Sequence, residues 1–384
     1  MMKKIIALST IVTMALGMIT PALGVAAETV TPGTISTGLT RDTTGGAAPI
    51  VKAKWEANGA DANNVPYTSA LDYYRDDAIA ASAQFLPSGK YQVNKKIALC
   101  SVVTDPDGLA DVTTAPGAVY GDVFYPVDIA LGEHHVALPG QSGLGCGEFM
   151  QEDKLTKLSK ADSIALFCTN VRNNNNNLPT FNTNYSYDEI CAQDGELMKD
   201  TAIVYCTTKD LSYEDPSGVY AVWAVAQDQV GLQGKLVNTF TYLPVTAFET
   251  DFTSISYGSV RLATHKIISG DLTWDNLNAG RASVRNVGNT RLTMRVWQND
   301  MGFGKTDISN WNVKYDARVG SDAAYANYVP EQTKTLANSL DLSELNEMDF
   351  SIDVSKFPPT HEGDSYTGTM TLSAVSAPHL DCCN

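Results

Sequence analysis

Basic side chains are scarce in this chain. Lys and Arg number 27 against 43 Asp and Glu, which leaves a net charge of −16 at pH 7 with His neutral. A surface with that surplus repels phosphate, so nucleic acid and anionic lipid headgroups are excluded as partners. Catalytic signatures are missing as well. HExxH, Walker and dinucleotide-binding glycine motifs are absent, and Gly140-Gln141-Ser142-Gly143-Leu144 misses the nucleophile elbow because Leu144 stands where Gly is needed. No pair of cysteines forms CxxC or CxxCH, which rules out zinc ribbons and c-type haem attachment. After the first residues no run of about 18 apolar side chains recurs, so no later membrane span is expected. The reading is a non-enzymatic protein that requires no cofactor. A secreted hydrolase with paired acids on loops is a third option behind the two given below.

The start of the chain sets the compartment. Met1-Met2-Lys3-Lys4 precedes an apolar stretch from Ile5 to about Gly24, and Val25-Ala26-Ala27 supplies the small residues of a signal-peptidase site. This is a prokaryotic-style secretory signal with expected cleavage after Ala27. The segment carries Lys3 and Lys4 and no acid, so its removal takes the charge from −16 to −18. The mature chain is expected to be extracellular, associated with the cell surface and without a transmembrane segment. An acidic, Thr-, Ser-, Asn- and Gly-rich surface suits that setting.

Export makes disulfides the default for cysteine. The seven are Cys100, Cys146, Cys168, Cys191, Cys206, Cys382 and Cys383. The expected pairs are Cys168 with Cys191, and Cys146 with either Cys100 or Cys206. The odd count leaves one thiol over, and Cys382 and Cys383 have no assigned role.

Thr- and Gly-rich residues 28–48 read as a flexible arm, either a linker or a donor strand for a neighbouring sheet edge. The first domain spans 49–245. Its central stretch is Lys95–Val112: an apolar, β-branched core strand over 97–103, a turn at Asp105-Pro106-Asp107-Gly108, and a returning segment at Asp111-Val112. Further strands are expected over 49–56, 82–87, 119–126 and 219–226. The last is apolar on both faces: Tyr220, Val222 and Ala224 on one, Val219, Ala221, Trp223 and Val225 on the other. A half-buried strand alternates apolar with polar, so something should cover the second face. The insert at about 141–200 is the candidate. Helical spacing over Asp153–Cys168 and a capping box at Ser186–Glu189 give it short helices. Asn184-Tyr185-Ser186 is a glycosylation sequon at Asn184.

Leu243-Pro244-Val245 marks the boundary to a second domain, 246–384. There strands are expected over 251–257, 259–268, 282–287, 291–298, 311–316, 349–354 and 366–373, with a turn at Asn286-Val287-Gly288-Asn289. The fold class is mainly β, two β-sandwiches, the first with a small helical, disulfide-bearing insert. Asp105, Asp107 and Asp111 crowd one turn, and three carboxylates with nearby carbonyls suit Ca²⁺. His134-His135 reads as a loop pair, because adjacent strand residues point to opposite faces.

Three motifs resemble the immunoglobulin-like modules of prokaryotic secreted and cell-surface proteins: VTDPDGLADV, the Asp-Pro-Ser-Gly-Val-Tyr lead-in at 215–220, and Arg-Asn-Val-Gly-Asn-Thr at 285–290. The closing pattern at 350–354 and 366–372 is similar to the last strands of such modules. The resemblance implies a tyrosine corner at Tyr220 with an inward residue two positions on. Here that residue is Val222, not the Cys of antibody domains. The resemblance implies a surface role of surface-layer, adhesin or filament type and brings no catalytic residue with it. Two functions follow: a structural or adhesive protein acting through sheet edges, loops and self-assembly, or a module binding glycans or surface proteins through the 141–200 insert.

Overall fold

The computed structural model describes residues 46–58, 84–124, 149–174, 178–276, 281–358 and 365–378. The signal segment, most of the arm, Cys146, His134-His135, Gly140–Leu144, Cys382 and Cys383 lie outside them. The described residues all belong to one compact unit. Strands dominate it, and they sort into two sandwiches on either side of 243–247.

The first half contains β1 (Ile50–Asn58), β2 (Gln84–Phe85), β3 (Lys95–Thr104), β4 (Ala118–Phe124), β5 (Phe149–Lys154), β6 (Thr156–Lys157), β7 (Thr180–Phe181), β8 (Ala202–Leu211), β9 (Gly218–Gln227) and β10 (Gln233–Tyr242). One sheet runs β6-β8-β3-β1-β7 and faces a second, β2-β10-β9-β4-β5. The expected core strand is central in its sheet: from Ile97 onward every residue of β3 is buried. A strand covered on both faces reads as a continuous apolar run, as this one does.

Two sequence expectations are corrected here. Asp111-Val112 does not resume a strand but sits in a one-turn helix, α1 (Ala110–Thr113). Gly108 at φ 109° turns the chain, and Asp111 N then donates to Gly108 O at 3.0 Å, which starts helical pairing in place of a ladder. The described part of the insert does not cover the outer face of β9. Its first strand, β5, extends the β9 sheet at the edge beyond β4, while its helices lie on the opposite sheet. These are α2 (Lys160–Ser163), continued by a π-helical stretch over Ile164–Val171, then α3 (Tyr187–Cys191) and α4 (Glu196–Lys199). They seat Leu166, Phe167, Val171, Ile190 and Leu197 on Trp55, Cys100 and Val204, with the Trp55 and Phe167 rings 5.2 Å apart. The cause lies in β1. Its apolar set, Ala53, Trp55 and Ala57, points away from the β9 sheet and needs its own cover. Period-2 alternation sends Lys54 and Glu56 the other way, into the sandwich.

The second half adds β11 (Phe248–Thr250), β12 (His265–Ile268), β13 (Ser283–Asn286), β14 (Leu292–Gln298), β15 (Val313–Val319), β16 (Ala326–Tyr328), β17 (Lys334–Leu340), β18 (Leu345–Val354) and β19 (Met370–Ser376). The sheet β11-β13-β18-β15-β16, with β12 also on β18, packs against β17-β14-β19. β14 alternates strictly, with Leu292, Met294 and Val296 inward. Residues 251–257, expected as a strand, run without regular structure after the short β11, because Asp251 is spent on the backbone of Ser283, 2.8 Å away. The turn at 286–289 has a further role. Asn289 accepts from Val245 N at 2.7 Å and donates to Leu243 O at 3.0 Å, and Asn289 O accepts from Ser217 N at 2.9 Å. The connector is thereby fastened to both halves.

Candidate functional site

The two disulfides sit where strand and helix geometry place them. Cys168 and Cys191 join the π-helical stretch to α3, closing the insert on itself. Cys100 joins Cys206, not Cys146. β3 and β8 are antiparallel with Cys100 directly opposite Cys206, Cα–Cα 4.2 Å, the spacing of a non-hydrogen-bonded pair whose side chains meet. Neither Cys100 nor Cys206 is left for Cys146.

The structure brings Asp105, Asp107 and Asp111 together, with one carboxylate oxygen of each within 4.8 Å of the others. Asp105 and Asp111 are buried and Asp107 is exposed. Asp105 Oδ1 accepts from Asp107 N at 2.8 Å, and Asp107 Oδ2 accepts from Ala47 N at 2.6 Å, which ties the end of the arm to the turn. An oxygen-only donor set of this kind fits a hard cation.

Asn184 is exposed at φ 75°, and Ser186 beside it accepts from Asp188 N at 3.2 Å as the N-cap of α3. Ser186 Oγ also donates to the Glu189 carboxylate, so the capping pair is present. That bond holds the Glu189 carboxyl below its ordinary value of 4.5.

The tyrosine corner is present. Tyr220 Oη donates to Pro216 O at 2.6 Å, its ring stacks on Phe240 with centroids 5.0 Å apart, and Val222 follows inward.

The outer face of β4, β9 and β10 is the most site-like surface. Register places Asp122 opposite Trp223, Tyr120 opposite Val225, and Lys235 opposite Val225 from the other side. Alternate residues of three neighbouring strands therefore share one side. They floor an open groove of about 440 Å³. Trp223 is half-buried, with Phe124 at 5.0 Å on one flank and the Lys235 ammonium 4.4 Å from its ring on another. Gln233 Nε2 donates to Gln227 Oε1 at 2.9 Å at the end of the groove. Val219 and Val237 on the same face are exposed. Aromatic floor, amides, one carboxylate and one ammonium provide both apolar contact and directional hydrogen bonds, held by backbone ladders and not by loops.

A second polar group was not foreseen from sequence. His265 Nε2 lies 2.8 Å from Asp316 Oδ2 and 2.7 Å from Ser351 Oγ, and Ser351 Oγ donates to Asp316 Oδ2 at 2.9 Å. A serine relay needs Ser and Asp on opposite ring nitrogens. Here both meet the same nitrogen and Ser351 is fully buried. The trio clasps β12 to β15 and β18. No helix among the described residues is long and apolar enough to cross a membrane.

No protein-family model matches the chain, and no curated protein matches it. Among solved structures, the C-terminal domain of the Streptococcus pyogenes antigen I/II-family protein AspA is 11% identical, with 86% of this chain and 97% of that one covered at a TM-score of 0.23. The secreted serine protease VesC from Vibrio cholerae gives 9% identity, 80% and 54% coverage and a TM-score of 0.16. Carbohydrate-binding modules of the β-sandwich superfamily give 10%, 75% and 92%, and 0.17. None of these scores places the chain in a family.

Proposed function

We propose that this chain is a secreted, non-enzymatic, cell-surface β-sandwich protein that adheres to an extracellular glycan through the outer face of β4, β9 and β10. One observation carries the reading: Trp223 is partly exposed on a rigid sheet, between Phe124 and Lys235, with amides at the groove end. The C–H face of a sugar ring carries weakly positive hydrogens that meet the negative face of an indole, while its hydroxyls need donors and acceptors at the rim. This moves the ligand surface from the 141–200 insert, whose helices are occupied in covering Trp55, to the sheet behind it. The strong negative charge keeps phosphate polymers away and leaves neutral or cationic sugars as the class of ligand. Ca²⁺ held by Asp105, Asp107 and Asp111 would brace the turn at the mouth of α1 without entering any reaction.

The test is a glycan array probed with the exported chain and with Trp223→Ala. Retention of a sugar class by the first and not the second supports the reading. Retention that is unchanged by Trp223→Ala places binding elsewhere. Ordered sheets or filaments by electron microscopy, with an empty array, would favour lateral self-assembly.

A further inference from the structure

Between the two sheets of the first sandwich lies a polar trio that neither the groove nor the turn of Asp105, Asp107 and Asp111 uses. Lys54 and Glu56 are two residues apart on β1 and so share its inward face; both are buried, at 2% and 1% exposed. Asn238 projects toward them from β10, in the opposite sheet. Lys54 Nζ lies 2.5 Å from Glu56 Oε1 and donates to Asn238 Oδ1, while Asn238 Nδ2 donates to Glu56 Oε2 at 2.6 Å. One carboxyl thus touches the amine with one oxygen and the amide nitrogen with the other.

We propose that Lys54 and Asn238 condense into an intramolecular isopeptide bond, with Glu56 as the acid–base group that moves the protons.

The step balances within the trio. Lys54 ammonium passes one proton to Glu56 Oε1. The freed lone pair attacks Asn238 Cγ and forms the Nζ–Cγ bond, with the charge on Oδ1. The new Nζ centre loses its second proton as the Cγ–Nδ2 bond breaks. Nδ2 takes both protons and leaves as ammonium, and Glu56 is again a carboxylate. Nothing is oxidised or reduced, and no co-reactant is needed.

Five features favour this over a permanent ion pair. A charged Lys–Glu pair between stacked sheets bears a large desolvation cost that a neutral amide does not. Burial, opposed by Glu56, holds the Lys54 amine below its ordinary 10.5, which favours the nucleophilic form. The folded chain fixes amine and carboxamide in contact, and such orientation can be worth an effective concentration on the order of 10⁵ M or more. The approach is also built in: at Gly234 on β10 a Cβ would stand 1.8 Å from Pro49 O, so only glycine lets the start of β1 come this near. Asn238 is paired with Val222, the position where an antibody domain has a cross-sheet cysteine. An amide here ties the same two layers together.

Tryptic mapping of the exported, reduced and alkylated chain tests the proposal. The expected product is a branched peptide joining residues 53–75 to 236–261, lighter than the two together by one ammonia, with no cleavage after Lys54. Separate linear peptides with an intact Asn238 amide and normal cleavage after Lys54 would overturn it. Glu56→Gln should abolish the branched peptide and Glu56→Asp, which keeps an acid, should restore part of it. A branched peptide in Glu56→Gln would remove Glu56 from the mechanism. The map of the unaltered chain decides the bond however the variants fold.

Discussion

Replacing Tyr220 by Phe removes one oxygen and leaves the packing. The ring stays stacked on Phe240 and edge-on to Tyr242, while the 2.6 Å bond to Pro216 O disappears. Both ends of that bond are buried, so water cannot take the hydroxyl's place. A buried acceptor stripped of its donor costs about 1–3 kcal/mol. At about 2–4 °C per kcal/mol for a unit of this size, the transition should fall by roughly 2–12 °C. The control is Tyr242→Phe, whose hydroxyl donates to Ser212 O over a longer 3.2 Å. Urea unfolding followed by far-ultraviolet circular dichroism measures both. Tyr220→Phe should lower the midpoint without changing the slope, and by more than Tyr242→Phe does. An unchanged midpoint, or a larger effect from Tyr242→Phe, would refute the view that this corner locks β9 onto the chain before it.

The disulfides should differ in weight. Replacing Cys100 and Cys206 together by Ala opens a closure of 106 residues, worth about 4.8 kcal/mol by loop entropy, and replacing Cys168 and Cys191 opens one of 23, worth about 3.4 kcal/mol; urea titration showing the reverse order would contradict the loop argument. Ca²⁺ at a hundred times its dissociation constant should stabilise the chain by about 2.7 kcal/mol, an effect that chelator and Asp105→Asn both abolish, and an unmoved melting curve would remove the ion from the account. Glu189, held down by the Ser186 bond, stabilises α3 above the unfolded value near 4.5, and that contribution disappears as pH falls through the lower folded value. Its carboxyl resonance should therefore titrate below 4.5 by nuclear magnetic resonance, with Ser186→Ala returning it upward; a midpoint at or above 4.5 would refute the cap.

Much of the fold was legible because its signals are local. Ile97–Val103 is an uninterrupted apolar run, and a strand buried on both faces has no other appearance. Asp215–Tyr220 carries its own turn chemistry, and Arg291–Gln298 alternates. Strand β17 was missed since Lys334-Thr335-Leu336-Ala337-Asn338-Ser339-Leu340 places too few apolar residues at period two, and β14 supplies the partner that makes it a strand. The direction of faces was harder to read. Val51–Ala57 alternates cleanly, and the ordinary inference puts Lys54 and Glu56 in water. In the fold Ala53, Trp55 and Ala57 go to the helices and Lys54 and Glu56 go into the sandwich, while before the bulge at Lys52 the order is reversed, with Val51 inside and Lys52 on Glu196 of α4. No local pattern encodes that inversion, because it depends on which sheet the insert chooses. Among the described residues the same choice leaves Trp223 half-exposed, although its strand looks covered on both sides. Asp105, Asp107 and Asp111 were legible as a cluster because one turn carries all three. Cys100 and Cys206 were not, since their pairing is set by the register of β3 and β8.

Calorimetric titration of the sugar retained best on the array, into the exported chain and into Trp223→Ala, shows whether this face holds the ligand. If the outer face of β4, β9 and β10 is where this protein adheres, Trp223→Ala should weaken binding by at least about 2 kcal/mol, roughly 30-fold, with the circular dichroism of the two chains superimposable. Equal affinities for the two chains, or no sugar that binds either, would contradict it.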